Sequence, residues 1–462
     1  MRPRLALVLL AACSGKSAPV DDSVGPTDTA PVWEIRDALS PLSAVNPAGR
    51  GIVHINDIAP VEDDALALAS YAGAFLMDVA DPTAPEALDR GGQALYWANT
   101  LERRVALSGR EGGTVVAEAG EGWARVTPLD LADAPEGVAL TDGLVLIAAR
   151  AQGLLVVDVA TQQIQGVLDL PGALDVVMDG GVAWVADTER GLVGVDLTDP
   201  SAPVEVGVLP IPGIPSALAG DGAGRVAVAA GSRTVLVDVH EPVAPVELAA
   251  LGSGGVAYRV AFGDGLLAVA DWSATRVYDL ADPARPRLLG LEDATDAAVS
   301  VAFTGDTLWV GDWDVLRGYT VDRDAHGPEL DVDTSITLLP EQGLGAVNVT
   351  VSNPGDMPLT LSAAGCDDGT VTLSPAQLTL EPGAGGLLTV ETATPGARAV
   401  TCTVETNDAD EAIQALSVQV DPPGLGVGDV PEPWTLPDLD GTLHSLGDHL
   451  GEVVMVTIFS PT

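Results

Sequence analysis

Three aspartates of this 462-residue chain stand at matching places. Asp187, Asp271 and Asp312 each close a short apolar run, and Trp272 and Trp313 directly follow two of them. Carboxylates and indole rings gathered on one rim could bind a cation such as Ca2+, a glycan or a cationic partner. The plainer alternative is turn chemistry, with each Asp capping a hairpin and each Trp covering a sheet edge. Cysteine offers a second chemistry. The chain contains Cys13, Cys366 and Cys402 alone. In an exported protein Cys366 and Cys402 are a disulfide candidate, with two free buried thiols as the alternative. Neither has a second Cys or a His at zinc-ligand spacing, so no metal site is assigned to them. His54, His240, His326, His444 and His449 read as solvated surface residues. The sequence holds no G-x-S-x-G elbow, P-loop or H-E-x-x-H signature. No catalytic residue is assigned and no cofactor is required.

The elements that must position these residues are repeated. Leu154-Leu155-Val156-Val157-Asp158 is one copy of a phrase that returns in Phe75-Leu76-Met77-Asp78, Leu192-Val193-Gly194-Val195-Asp196, Thr234-Val235-Leu236-Val237-Asp238 and Thr275-Arg276-Val277-Tyr278-Asp279. Its closing Asp recurs at a period of about 40 residues or twice that, the mark of a repeat architecture. Within 173–213, four apolar runs (173–178, 182–186, 191–196 and 204–209) are separated by Asp179-Gly180-Gly181, by a polar turn and by Asp199-Pro200-Ser201-Ala202-Pro203. The proline turn returns at Asp81-Pro82, Glu241-Pro242 and Asp282-Pro283. Proline fixes φ and donates no ladder hydrogen bond, so these turns lie between strands. Four antiparallel strands per roughly 40 residues is the arithmetic of a β-propeller blade. Units beginning near 52, 94, 135, 173, 214, 256 and 297 predict a seven-bladed propeller over 49–328. The unit at 94–134 is degenerate, with Val115-Val116-Ala117-Glu118 where the Asp phrase belongs. A β-sandwich pair or a β-solenoid with the same strand spacing is the alternative. If the strands of each unit run outward, the loops after the second and fourth strands share one face. That brings Asp187, Asp271 and Asp312 to one rim.

The phrases at 153–160, 191–203 and 275–286 resemble the LVIVD repeat family of bacterial extracytoplasmic propellers. The resemblance implies the fold over about 280 residues and leaves activity open.

Composition narrows the function. The formal charge is −45, and Lys16 is the sole lysine. Such a surface repels phosphate backbones, which excludes nucleic-acid binding, and resists anionic membranes except through a covalent anchor. Solubility of an exported protein explains the acidity most simply; salt adaptation or diffuse divalent-cation binding are the alternatives. Arg2 and Arg4 precede the apolar run 5–10, and Leu10-Ala11-Ala12-Cys13 resembles the lipobox of bacterial lipoproteins. The resemblance implies a signal at 1–13, lipid on Cys13, and a flexible Ser/Pro/Asp-rich tether over 14–48. The alternative for this stretch is a buried helix start. No other run reaches the roughly 18 apolar residues needed to span a bilayer. Ser14 resembles the outer-membrane default, so the expected location is the cell envelope, periplasmic or surface-facing.

Downstream, 329–421 holds eight short strand candidates, several alternating, with turns at Asn353-Pro354-Gly355-Asp356 and Glu381-Pro382-Gly383. This predicts an immunoglobulin-like β-sandwich. Its phrases at 351–362, 373–383 and 404–410 are similar to sandwich modules first described in ciliary and spindle proteins. The tail 422–462 resembles the opening of the redoxin family through Val427-Gly428-Asp429, Trp434-Thr435-Leu436-Pro437-Asp438, Asp440-Gly441, Ser445-Leu446 and the run 453–459. That resemblance implies a hairpin, a short helix and the central strand of an incomplete thioredoxin fold. It also implies a longer natural chain, or else a remnant packed on the sandwich or a partner. The redox cysteine of that family follows the central strand, and none stands here.

The expectation is therefore an all-β, lipid-anchored envelope protein acting as a binding or scaffold module. Its partner would be another envelope protein or a glycan. The competing reading is a multidomain thiol-disulfide oxidoreductase or peroxidase whose catalytic cysteine region lies beyond this chain.

Overall fold

The computed structural model describes residues 38–49, 53–91, 94–109, 113–120, 122–129, 135–252, 255–332, 334–408, 412–422, 435–437 and 443–445. The expected signal, Cys13 and most of the expected tether lie outside these residues.

Within 55–91, 97–129, 138–168, 173–209 and 215–252, four consecutive strands pair antiparallel in chain order, giving five four-stranded sheets. Their middle strands are the continuous apolar runs. Ala65–Ser70, Leu154–Asp158 and Val182–Asp187 are buried on nearly every residue, whereas a fourth strand such as Val204–Leu209 is half exposed. A strand covered on both faces has no reason to alternate. The region expected to be degenerate is a complete sheet running from Trp97–Leu101 to Trp123–Leu129.

The repeated Asp performs turn work. Asp78, Asp158, Asp196, Asp238 and Asp279 each accept a backbone N–H two or three residues ahead. These Asx turns launch the crossing to the fourth strand. The register then slips at one recurring place, at Leu76/Met77, Val156/Val157, Gly194/Val195, Leu236/Val237 and Val277/Tyr278. A bulge repeated at this position adds twist to each of these sheets, while in the 97–129 sheet the slip falls at Glu118/Ala119. Neighbouring sheets meet closely at Gly207, where a Cβ would lie 2.0 Å from the carbonyl oxygen of Pro242 in the next proline turn.

The sixth sheet has seven strands. Its eighteen-residue strand Arg287–Thr304 pairs first with Trp272–Asp279 and then with Thr307–Asp312. One strand thus ends one blade-like unit and begins the next. The outermost strand of this sheet comes from the other end of the chain, since Leu39–Val45 pairs antiparallel with Val315–Val321. This corrects the tether expected over 14–48, whose last residues belong to the sheet. Reading units forward from residue 52 missed a strand that precedes them all. First strands from all these sheets line one axial cavity of about 210 Å³, so the sheets are arranged radially like the blades of a propeller.

Residues 331–420 form two further sheets around one apolar core that includes Leu338, Val351, Val390, Val400 and Val418. The expected run 330–338 splits. Asp331–Val332 pairs with Ala346–Ser352 in one sheet, and Ser335–Leu338 runs parallel to Ile413–Val420 in the other. Cys366 and Cys402 face each other in register on adjacent strands and form a disulfide. Of the tail, Thr435–Pro437 pairs antiparallel with Leu443–Ser445. The helix and the 453–459 strand implied by the redoxin resemblance lie outside the described residues. Among the described residues no helix is long and apolar enough to cross a membrane.

Candidate functional site

The three aspartates do sit in the turns after second strands, but their carboxylates face inward. Asp187, Asp271 and Asp312 are 1, 0 and 2% exposed. Asp187 Oδ1 accepts the N–H of Glu189 and of Arg190. Asp271 Oδ1 accepts from Ala274 N–H at 2.8 Å and the Ser273 hydroxyl, while its Oδ2 meets Arg276 Nε at 2.6 Å. Asp312 Oδ1 accepts from Asp296 and Ala297 N–H, and its Oδ2 from Thr295 N–H and Arg317 Nε. Burial alone would raise the Asp312 carboxyl; the N–H of Asp296 and the Arg317 guanidinium outweigh it and hold it below the usual range. Both oxygens of Asp271 and of Asp312 are committed to these donors, whereas Asp187 Oδ2 is buried without a hydrogen-bond partner. Among the described residues no three His, Cys, Asp or Glu side chains are grouped to hold a metal ion. The sequence carried a signal for this, because Arg276 and Arg317 each follow their Asp by the same interval within matching Asp-Trp-x-x-x-Arg phrases.

The tryptophans behave differently. Trp272 is 41% exposed, and its ring meets that of Trp313 edge-on with centroids 5.4 Å apart. The contacts continue on both sides. Tyr258 lies 5.3 Å from Trp272, His54 lies 4.4 Å from Trp313, and Tyr71 lies 5.8 Å from His54. This arc joins residues just before first strands (His54, Tyr258) to residues in the turns after second strands (Tyr71, Trp272, Trp313). All belong to the same face.

Three neighbours in the arc carry left-handed backbone: His54 at φ 45°, Trp272 at 72° and Trp313 at 53°. For bulky residues this region is sterically costly, and such strain concentrates at functional sites. The surrounding hydrogen bonds impose it. Asp314 Oδ1 accepts Val53 and His54 N–H at 2.7 and 2.8 Å, Ile55 N–H reaches Trp313 O, and Trp313 N–H reaches Ala297 O. The five-histidine reading is corrected at His54, which is half-buried within the stack, and at His326, whose Nδ1 lies 2.5 Å from Asp356 Oδ2.

Beside the arc opens the mouth of the axial cavity, a pocket of about 290 Å³ lined by Trp97, Glu136, Arg150, Tyr258 and Arg259 among others. Arg259 is its pivot. It crosses the axis to lie 5.5 Å above the Trp97 ring and donates to the carbonyls of Tyr96 and Tyr258. Its Nε is 3.1 Å from Asp57 Oδ1 in the cavity wall. At the lip, fully buried Glu136 is ion-paired with half-exposed Arg150. Deeper in, burial pushes Asp57 up, and pushes Asp175 to about 7 against the pull of Arg259. Sequence reasoning found Trp272 and Trp313 by repeat position. It missed His54, Tyr71, Trp97, Tyr258 and Arg259, which occupy irregular connecting loops or strand starts with no shared phrase.

Comparison with protein families matches residues 172–209 to the LVIVD repeat. No curated protein matches the chain. Among solved structures, the WD40 β-propeller domain of Doa1 superposes with a TM-score of 0.51 at 13% identity, covering 62% of this chain and 98% of that one. The RRP9 WD40 repeats give 0.49 at 13% identity, covering 63% and 100%. The likeness to the Doa1 domain concerns the propeller fold.

Proposed function

We propose that this chain is a lipid-anchored, extracytoplasmic binding module in which a seven-bladed propeller presents a docking face and an immunoglobulin-like sandwich carries it. The observation that carries the reading is the strained trio His54, Trp272 and Trp313, held side by side in left-handed backbone at the rim. Rigid aromatic side chains beside a concave mouth are the composition of protein-binding hot spots. Propeller folds commonly mediate protein interactions, which supports a protein partner. The lipobox resemblance at Cys13 supports anchoring in the envelope. A photo-reactive residue placed at Tyr258 is expected to crosslink a partner protein in intact cells, whereas the same residue at Val243, 71% exposed in a proline turn, is not. Equal adducts from both positions, or none from Tyr258, sink the proposal. Anchoring is tested by Cys13→Ser, which should move the protein from the membrane to the soluble fraction.

A second reading, a thiol oxidoreductase, draws on the antiparallel pairing of Thr435–Pro437 with Leu443–Ser445, as the redoxin resemblance implies. A reading frame that continues past Thr462 into a cysteine-bearing loop would favour it.

A further inference from the structure

We infer that the aromatic arc takes the arginine or lysine side chains of a basic segment on a protein partner. The inference rests on the docking reading above and names the chemistry of the occupant. The rings of the arc are inclined to one another, by 36° for Tyr258 and Trp272, 75° for Trp272 and Trp313, and 44° for His54 and Trp313. A sugar ring stacks best on a flat platform that inclined rings do not offer, whereas a cation needs only the face of a single ring.

The charges beside the arc agree. Asp271 and Asp312 are already neutralised by Arg276 and Arg317. Asp296 and Asp314, which flank Trp313 through its hydrogen bond to Ala297 and by sequence, have no arginine partner among the described residues. Asp314 has the His54 ring at 4.0 Å, and Asp296 is exposed. The described residues already show the same pairing, with Arg259 over Trp97 and Arg90 over Phe75. At long range the formal charge of −45 steers a basic partner inward and repels a second copy of this chain.

The test uses the full chain and a Gly/Ser peptide carrying three arginines, beside the same peptide with citrulline in their place, titrated calorimetrically at physiological salt. The arginine peptide is expected to bind, and citrulline to weaken it by about tenfold or more. W272G/W313G should cost a comparable factor without unfolding the turns, because glycine adopts left-handed backbone freely. The charge control D63N/D306N, on exposed turns after first strands, should change affinity by less than about twofold. Equal losses in the control and the aromatic variant mean diffuse attraction alone and overturn the inference. Equal binding of the citrulline peptide overturns it as well. So does a neutral oligosaccharide that binds while the arginine peptide does not. If no peptide binds yet the Tyr258 crosslink persists, the cation inference fails and the docking reading stands.

Discussion

Asp175 and Asp57 approach the propeller axis from separate sheets and share Arg259, so two buried carboxylates face one guanidinium. Asp175 Oδ1 and Oδ2 accept the N–H of Val176 and Leu218, both at 2.8 Å. Gly137 makes room for it, since a Cβ there would fall 2.0 Å from Oδ1. With its carboxyl pushed to about 7, folded Asp175 keeps a proton that the unfolded chain has already released near pH 4. Between those values the native state binds more protons, so this group makes stability fall as pH rises, by a few kcal/mol in all, and adds no further change above about pH 7. Asp175→Asn is expected to remove that slope, apart from a constant offset where the amide meets a second N–H. Urea melts of both proteins from pH 4 to pH 8 check it; identical slopes would refute the assignment. The same environment marks the limit of sequence reading at this scale. Asp187, Asp271 and Asp312 were placed in the right turns by spacing, but spacing does not say which way a carboxylate points. That is decided by Arg276 and Arg317 across the hairpin and by loop N–H groups that only folding assembles.

At the scale of elements, the repeat was legible because the closing Asp and the proline turn do local work that any single unit needs. What joins unit to unit was less legible. Asp57 accepts the N–H of Ala98, Asn99 that of Leu140, and Asp175 that of Leu218, latching one first strand to another around the axis. These polar residues share a position but not an identity. The closing strand Leu39–Val45 was invisible for a different reason: it carries one proline and lies before the first recognisable unit. It covers an edge that would otherwise offer unpaired backbone groups. Leu39 is 1% exposed, whereas Leu88 on another outer strand is 40% exposed. Leu39→Ala should therefore cost about 2–4 kcal/mol, against less than about 1 kcal/mol for Leu88→Ala. Chemical denaturation of the two variants compares the same truncation in a closing and an ordinary outer strand. Equal costs would remove Leu39–Val45 from the ring. In the sandwich, the Cys366–Cys402 disulfide ties together strands 36 residues apart in sequence. Cys366→Ala with Cys402→Ala should lower stability by about 3–4 kcal/mol, and reductant should then have no further effect on unfolding.

At the scale of the molecule, the rim and the sandwich are joined through one guanidinium. Arg276 is 4% exposed and meets Asp271 Oδ2 at 2.6 Å on the propeller side and Asp331 Oδ2 at 3.3 Å on the sandwich side. The joint continues along the outer strand: Leu291 N–H is accepted by Glu329, and Arg287 reaches Asp356 together with the carbonyls of Arg323 and Ala325. Asp271 belongs to the turn that holds Trp272 in left-handed backbone, so the sandwich braces that rim through a chain of two ion pairs. The two legs are separable. Arg276→Ala leaves Asp271 buried without its partner, which should cost about 3–5 kcal/mol. Asp331→Asn breaks only the half-exposed leg and should cost no more than about 1 kcal/mol. Its effect should appear instead as faster protease cleavage within 322–334 and a broader interdomain distance distribution in solution scattering. If Asp331→Asn leaves cleavage unchanged while Arg276→Ala destabilises as expected, Arg276 serves the turn alone and the sandwich is held by Arg287 and Glu329.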